Sequence, residues 1–247
     1  MLHAGMRLAS NYYMSPAYTF PFHTCEPRSS ILAIAQPFSA GINLITAWLL
    51  VCTAAKSRSV PVWRCIVTFV AFELMHTVSH IYWHDSQRFC VHLLGYVMGF
   101  GGVLLAMRHL IQTEVGWETN CAIAAVTALD VVTLATTRAE GLAAIATGLL
   151  VIATIAICHM PYMPTWVRER FARLSAGVVL LLLVLANEML YCEQMMEFAP
   201  LPYHLAVEVL GLLLFVYMAT TFILWEGEVR RLHTDPKHTK HSPSVPS

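Results

Sequence analysis

The chain has 247 residues, of which 57% are hydrophobic and only 12% are charged, whereas a soluble domain carries about 25% charged residues. This composition predicts a polytopic helical membrane protein, and a formal net charge of zero gives no reason to expect a nucleic acid as partner. The seven cysteines include no CxxC pair, so neither a disulfide scaffold nor a cysteine zinc site is expected.

The N-terminal residues 1–30 lack the apolar run of a signal peptide and are expected to form an extramembrane segment. After them come apolar segments of about 20 residues, each long enough to cross a bilayer. We predict seven spans, with the bounds 34–55, 60–83, 90–110, 119–136, 141–160, 174–194 and 203–225. They form a membrane domain of residues 31–226, an all-α bundle of seven transmembrane helices. The polar residues 227–247 are expected to be a disordered tail.

The distribution of Lys and Arg predicts the orientation of the bundle. With seven spans, the first, third and fifth links and the C-terminus share one side. Eleven of the fifteen basic residues fall on that side: Lys56, Arg58, Arg64, Arg108, Arg168, Arg170, Arg173, Arg230, Arg231, Lys237 and Lys240. The C-terminus is therefore predicted in the cytosol and the N-terminus outside or in a lumen. We expect a multi-pass protein of the endoplasmic reticulum, Golgi or plasma membrane in a eukaryote, or of the inner membrane in a bacterium.

The stretch Glu73–His92, with the sequence ELMHTVSHIYWHDSQRFCVH, places ionisable side chains between two apolar runs. His76, His80 and His84 are spaced i, i+4, i+8 and so form one stripe on a helix. Ionisable groups are costly in lipid and usually face a polar cavity or a ligand. This stretch is therefore the first candidate for a functional site.

A second polar group opens the seventh span, where His204 and Glu208 lie one helical turn apart. The predicted topology puts the end of span 2 and the starts of spans 3 and 7 at the same, non-cytosolic depth. Imidazole and carboxylate groups are zinc ligands, so we predict a zinc site of three histidines, with or without a carboxylate. Its candidate ligands are His76, His80, His92, His204 and Glu208. The alternative is an interfacial histidine cluster that hydrogen-bonds lipid headgroups.

His92 and Ser79 are the candidate catalytic residues. His92 would act as a base or proton relay, or as a ligand, and Ser79 would polarise a carbonyl group. A lone serine on a helix more often bonds the backbone one turn back, which is the alternative for Ser79.

Cys25, Cys90 and Cys192 all fall on the predicted oxidising side of the membrane. A disulfide between Cys25 and Cys192 would tie the N-terminal segment to the link between spans 6 and 7. The alternative is three free or buried thiols.

Two stretches resemble alkaline ceramidases and their prokaryotic relatives: CEPRSSILAIAQPFSAGINL, from Cys25, and NEMLYCEQMMEFAPLPYHLAVEVLGLLLFVYMATTF, from Asn187. The wider superfamily includes adiponectin-type receptors, GPI-remodelling enzymes and myomaker. The resemblance implies seven helices, and zinc bound by a helix 2 histidine and by HxxxH in the last helix. It also implies an aspartate near the start of helix 3, and a calcium site that would draw on Glu26.

The chain departs from the family pattern at several of these positions. Glu208 replaces the second histidine of HxxxH, and the Ser-xxx-His of helix 2 has no clean match. The helix 3 aspartate is absent, with His92 or Gly95 at the corresponding positions. Gln36 stands where a second calcium-binding acid is often found. Which of the helix 2 histidines corresponds to the family ligand stays open.

We therefore predict a zinc-dependent intramembrane hydrolase of amide-linked lipids, similar to ceramidase, that takes its substrate from the bilayer. Zinc-bound water would attack the amide carbonyl group. The alternative is a non-catalytic seven-helix receptor or membrane-remodelling protein with a degenerate metal site. A retinal photoreceptor is not expected, because Lys56, Lys237 and Lys240 are the only lysines and none lies in a predicted span.

Overall fold

The structure is a computed structural model that describes residues 36–82, 93–111, 117–135, 140–199 and 202–234. All regular secondary structure in these ranges is helical, as the composition predicts. The α-helices are α1 (Pro37–Ala54), α2 (Val60–Tyr82), α3 (Phe100–Ile111), α4 (Trp117–Ala135), α5 (Glu140–Thr154), α6 (Thr165–Phe198) and α7 (His204–Thr234). A π-helical segment, Leu93–Gly99, leads into α3, and a second, Ile155–His159, continues α5 into the short 3-10 turn Met160–Tyr162.

Prolines and one capping serine mark where several helices begin. Pro37 occupies the first turn of α1, where its missing N–H needs no partner. Pro164 immediately precedes α6. The Ser59 hydroxyl accepts a hydrogen bond from the backbone N–H of Val62 at 3.3 Å, and so caps the start of α2.

Among the described residues, four helices are long and apolar enough to cross a membrane, which indicates a membrane protein. The qualifying segments are Pro37–Ala54, Val60–Ile81, Thr165–Glu188 and His204–His233. Shorter apolar helices cover Val97–Ile111 and Ala146–Tyr162. Seven crossings, and the side on which each terminus lies, stay predictions.

The helix α7 is longer than the sequence predicts. It continues past residue 226 to Thr234, so the expectation of disorder is wrong for residues 227–234, and residues 235–247 lie outside the described residues. The physical reason is that two acids where the extension begins, Glu226 and Glu228, are paired with residues of other helices and links. Glu226 accepts hydrogen bonds from the Ser57 hydroxyl at 2.8 Å and from the Arg58 N–H at 2.7 Å. Trp166 donates its indole N–H to Glu228 at 2.6 Å.

The buried core lies where α2 packs against α3 and α7, with α1 alongside α2 and α7 and with α6 packed on α7. Its largest fully buried side chains include Phe69, Phe171, Phe222 and Trp225. The backbone N–H of Gln36, just before α1, donates to the carbonyl of His80 near the end of α2 at 3.0 Å. This packing brings the polar ends of α1, α2, α6 and α7 together.

Candidate metal centre

Four ionisable side chains meet between α2 and α7. His76 and His80 come from α2, and His204 and Glu208 come from the first two turns of α7. All four are buried, with between 1% and 7% of their surface exposed. Each offers one nitrogen or oxygen atom, and these atoms lie within 4.8 Å of one another. The i, i+4 spacing in both helices accounts for this, because it puts each pair on one helix face.

The separations within this group suit a small cation. Glu208 Oε1 lies 2.9 Å from His204 Nε2, 3.1 Å from His80 Nε2 and 3.8 Å from His76 Nε2. The Nε2 atoms of His76 and His80 are 3.1 Å apart. Four donors placed tetrahedrally around a metal, with bonds near 2.0 Å, are separated by about 3.3 Å. The observed separations scatter around that value.

Each histidine ring is oriented by an acceptor on its other nitrogen. His204 Nδ1 lies 2.9 Å from both carboxylate oxygens of Glu188 in α6. His80 Nδ1 makes a short hydrogen bond to the side-chain oxygen of Gln36. His76 Nδ1 donates at 3.2 Å to the side-chain oxygen of Asn43 in α1. Metal-binding histidines almost always donate their second ring nitrogen in this way.

These partners fix which nitrogen carries the proton. A carboxylate or an amide oxygen can only accept, so each Nδ1 is an N–H donor and, in a neutral ring, each Nε2 presents a lone pair. Three lone pairs and the Glu208 carboxylate therefore face one another in a buried space. With all three rings neutral, such an arrangement is repulsive unless a metal ion or an additional proton lies between these atoms. The group can accordingly hold a metal ion, as the sequence predicts.

Asn43 connects the candidate metal-binding group, which consists of His76, His80, His204 and Glu208, to a second buried acid, Glu73. Its amide is assigned with nitrogen toward the acids, since only that orientation pairs donors with acceptors. The nitrogen then donates to Glu208 Oε2 at 2.6 Å and to Glu73 Oε2 at 3.3 Å. Asn43 is 1% exposed and Glu73 is 3% exposed. With its Oε2 atom held by Asn43, Glu208 directs Oε1 toward the histidines.

An apolar cavity of about 190 Å³ ends at this group. Glu73, His76, His204 and Glu208 form its polar end. Apart from Ser175, the remaining wall is built from apolar side chains and glycine: Phe72, Phe100, Val103, Gly148, Val151, Ile152, Ile155, Phe171, Leu174, Val178, Leu181, Leu182, Leu185, Val207, Gly211, Leu214, Phe215 and Met218. The cavity thus joins a polar centre to a long apolar space between helices.

The predicted site residues divide into those the structure brings together and those it does not describe. His76, His80, His204 and Glu208 form the group. Ser79 is buried, and its hydroxyl donates to the carbonyl of Met75 at 3.2 Å, the backbone bond named above as its alternative. The predictions for His84, His92, Cys25 and Glu26 fall outside the described residues, and the side chain of Cys192 is not described.

Sequence reasoning missed the positioning roles of Asn43, Gln36 and Glu188. The available signal was a polar side chain within or beside an apolar helix, which is costly in a membrane without a partner. Gly95, a candidate for the missing helix 3 aspartate, packs closely on Phe72. A Cβ atom at Gly95 would lie 2.6 Å from the Phe72 ring, so an acidic side chain would fit there only if that ring moved.

No protein-family model, curated protein or solved structure matches this chain.

Proposed function

We propose that this protein is a zinc-dependent intramembrane hydrolase of amide-linked lipids, similar to ceramidase. One observation carries the proposal: nitrogen atoms of three histidines and a carboxylate oxygen lie within 4.8 Å of one another, and His76, His204 and Glu208 of this group also line an apolar cavity. Three imidazoles and a carboxylate are a donor set that zinc takes. A polar centre at the end of an apolar space fits a lipid whose reactive group lies next to its alkyl chains.

In this proposal, each residue of the group has a role in hydrolysis. His76, His80 and His204 would hold zinc, and Glu208 would be a fourth ligand or the acceptor of a proton from water. Zinc bound there would polarise a carbonyl group and supply a nucleophile at neutral pH. Glu73 lines the cavity beside this group and is placed to exchange a proton with the substrate. The apolar wall would bind the alkyl part of the lipid and exclude bulk water.

A second candidate function is a non-catalytic receptor or membrane-remodelling protein with a structural metal. The observation in its favour is the number of protein donors. Four donors complete a tetrahedral structural zinc site, whereas a catalytic site keeps one position for water. If Glu208 binds the metal throughout, the site is closed and no hydrolysis is expected.

The deciding experiment measures metal content and hydrolysis on the same purified, detergent-solubilised protein. The variants are His204→Ala and, as a control, His109→Ala, which changes an exposed histidine of α3. We expect about one zinc per chain in the wild type and the control, and none in His204→Ala. A panel of ceramides of different acyl length then tests for release of fatty acid.

Each outcome separates the candidates. Zinc and hydrolysis that are lost together in His204→Ala would support the hydrolase. Zinc without hydrolysis of any ceramide would favour the non-catalytic candidate. A wild-type protein that contains no metal would refute both.

The proposed topology has seven transmembrane helices, with the N-terminus outside and the C-terminus in the cytosol. It is supported by the bias of eleven to four basic residues and by helices close to the seven predicted spans. Epitope tags at the two termini should be accessible from opposite sides of sealed membranes. Tags accessible from the same side would require an even number of spans.

A further inference from the structure

Gly211 leaves an open space one turn beyond Glu208 in α7. A Cβ atom built on Gly211 meets no atom within 4 Å, although the residue lines the cavity. A glycine weakens a helix interior, and here no close backbone approach compensates for that cost. The space that the absent side chain leaves open lies beside the metal-binding group.

The residues that line the cavity extend along two helices in the way expected of an alkyl-chain site. Its walls run along α6 from Phe171 to Leu185 and along α7 from His204 to Met218. Fourteen residues of helix correspond to a length of about 21 Å. The polar lining is concentrated at the end where His204 and Glu208 lie, and one more polar residue, Ser175, lies along the wall. A single flexible chain with one polar end matches this distribution.

We infer that Gly211 determines which alkyl chains the cavity accepts, by leaving room for the chain next to the metal-binding group. The inference rests on the proposed function for the direction of the lipid, whose carbonyl end points to His204 and Glu208. A side chain at residue 211 would fill the passage between the metal-binding group and the deeper apolar part. Long chains would then lose the deep part of the cavity, while short chains would lose less.

Binding of free fatty acids tests this without requiring turnover. The probes are octanoic, dodecanoic and hexadecanoic acid, measured with protein in a sterol-based detergent, which has no alkyl chain to compete. The variants form a size series, Gly211→Ala, Gly211→Val and Gly211→Leu. Gly227→Leu is the matched control, because Gly227 lies in the same helix, has no atom within 4 Å of a built Cβ and does not line the cavity.

We expect affinity for hexadecanoic acid to fall with the size of the side chain at residue 211. Each methylene displaced from an apolar site weakens binding about fourfold, so a leucine that displaces three should cost about 60-fold. The loss for octanoic acid should be smaller, and Gly227→Leu should bind like the wild type. Zinc content and melting temperature should stay unchanged across the series. If Gly211→Leu fails to fold, the fourfold loss expected for Gly211→Ala still tests the inference.

The inference is overturned if the wild type binds none of the three acids, if the Gly211 variants bind hexadecanoic acid as well as the wild type, or if Gly227→Leu loses as much. Its failure can be told apart from failure of the proposed function. Ceramide hydrolysis that is unaffected by Gly211→Leu would contradict this inference and leave the proposed hydrolase function standing. Fatty-acid binding that depends on residue 211, with no hydrolysis of any ceramide, would leave the alkyl-chain site intact and refute the hydrolase.

Discussion

Replacing Glu188 with glutamine should weaken metal binding without removing a ligand. Both oxygens of the Glu188 carboxylate lie 2.9 Å from His204 Nδ1, and the two side chains are 2% and 1% exposed. In Glu188→Gln the amide oxygen can still accept the Nδ1 proton, so the ring orientation survives. What is lost is the charge on the acceptor, which strengthens the bond and makes the ring a better donor to a metal.

The magnitude follows from the difference between a charged and a neutral hydrogen bond. Net contributions are about 1.5–3 kcal/mol for a bond to a charged group and about 0.5–1.5 kcal/mol for a neutral one. The difference of about 1–1.5 kcal/mol corresponds to about a tenfold loss of metal affinity. Glu188→Ala removes the acceptor altogether. Its loss of metal affinity should approach about 100-fold, the upper value when a residue that hydrogen-bonds a metal ligand is removed.

The assay is competition for zinc between the purified protein and a chelator of known affinity. Glu197→Gln is the control, because it makes the same change on an exposed residue of the same helix. The expected order of affinity is wild type and Glu197→Gln, then Glu188→Gln, then Glu188→Ala. Equal affinities for all four proteins would mean that Glu188 does not orient a metal ligand, and the assignment of the His204 proton would be wrong.

Three further predictions concern residues around the metal-binding group and at the opposite end of α7. Glu73→Gln should keep the metal but reduce ceramide hydrolysis about 10²–10⁴-fold, because a proton-transfer group is lost; unchanged hydrolysis would remove Glu73 from the mechanism. Asn43→Leu removes the amide N–H donor that Glu208 Oε2 and Glu73 Oε2 share, and also the acceptor of the His76 Nδ1 proton, so it should lower zinc affinity at least about tenfold in the chelator assay. An unchanged affinity would show that Asn43 positions neither Glu208 nor His76. Glu226→Leu removes the acceptor of the Arg58 N–H and one of the two acceptors of the Ser57 hydroxyl, the other being the Ser59 carbonyl. It should destabilise the protein by about 1–3 kcal/mol in thermal unfolding, with metal content unchanged. Loss of metal without loss of stability would refute a purely structural role.

The four residues of the candidate metal-binding group could be predicted from the sequence because each pair depends on local spacing. Residues four apart on a helix share a face, so His76 pairs with His80, and His204 with Glu208, before any tertiary contact is known. That the two pairs meet follows from assigning both helix ends to one membrane face. The cost of buried ionisable groups then points to a shared partner.

The residues that hydrogen-bond the histidine rings, and the cavity, could not be predicted from the sequence, since both depend on how the helices are rotated against each other. A sequence marks Asn43 and Gln36 as polar residues at an apolar helix, but not which ring nitrogen each contacts. The extension of α7 depends on partners of Glu226 that lie about 170 residues earlier in the chain. The open space at Gly211 is a property of the packing around it rather than of any pattern in the sequence.

The separation along the chain between the two ligand pairs has a consequence for biogenesis. His80 and Glu208 are 128 residues apart, and two of the residues that orient the histidine rings, Gln36 and Asn43, precede both. A bound metal would therefore cross-link the early and late parts of the polypeptide. Because the loop it closes is long, it would restrict the conformations of the unfolded chain more than a local contact would. The centre cannot be completed until the last helix has been synthesised and inserted. If the group binds a metal, its acquisition is therefore a late assembly step, and chains without the metal would lack this cross-link between the last helix and α2.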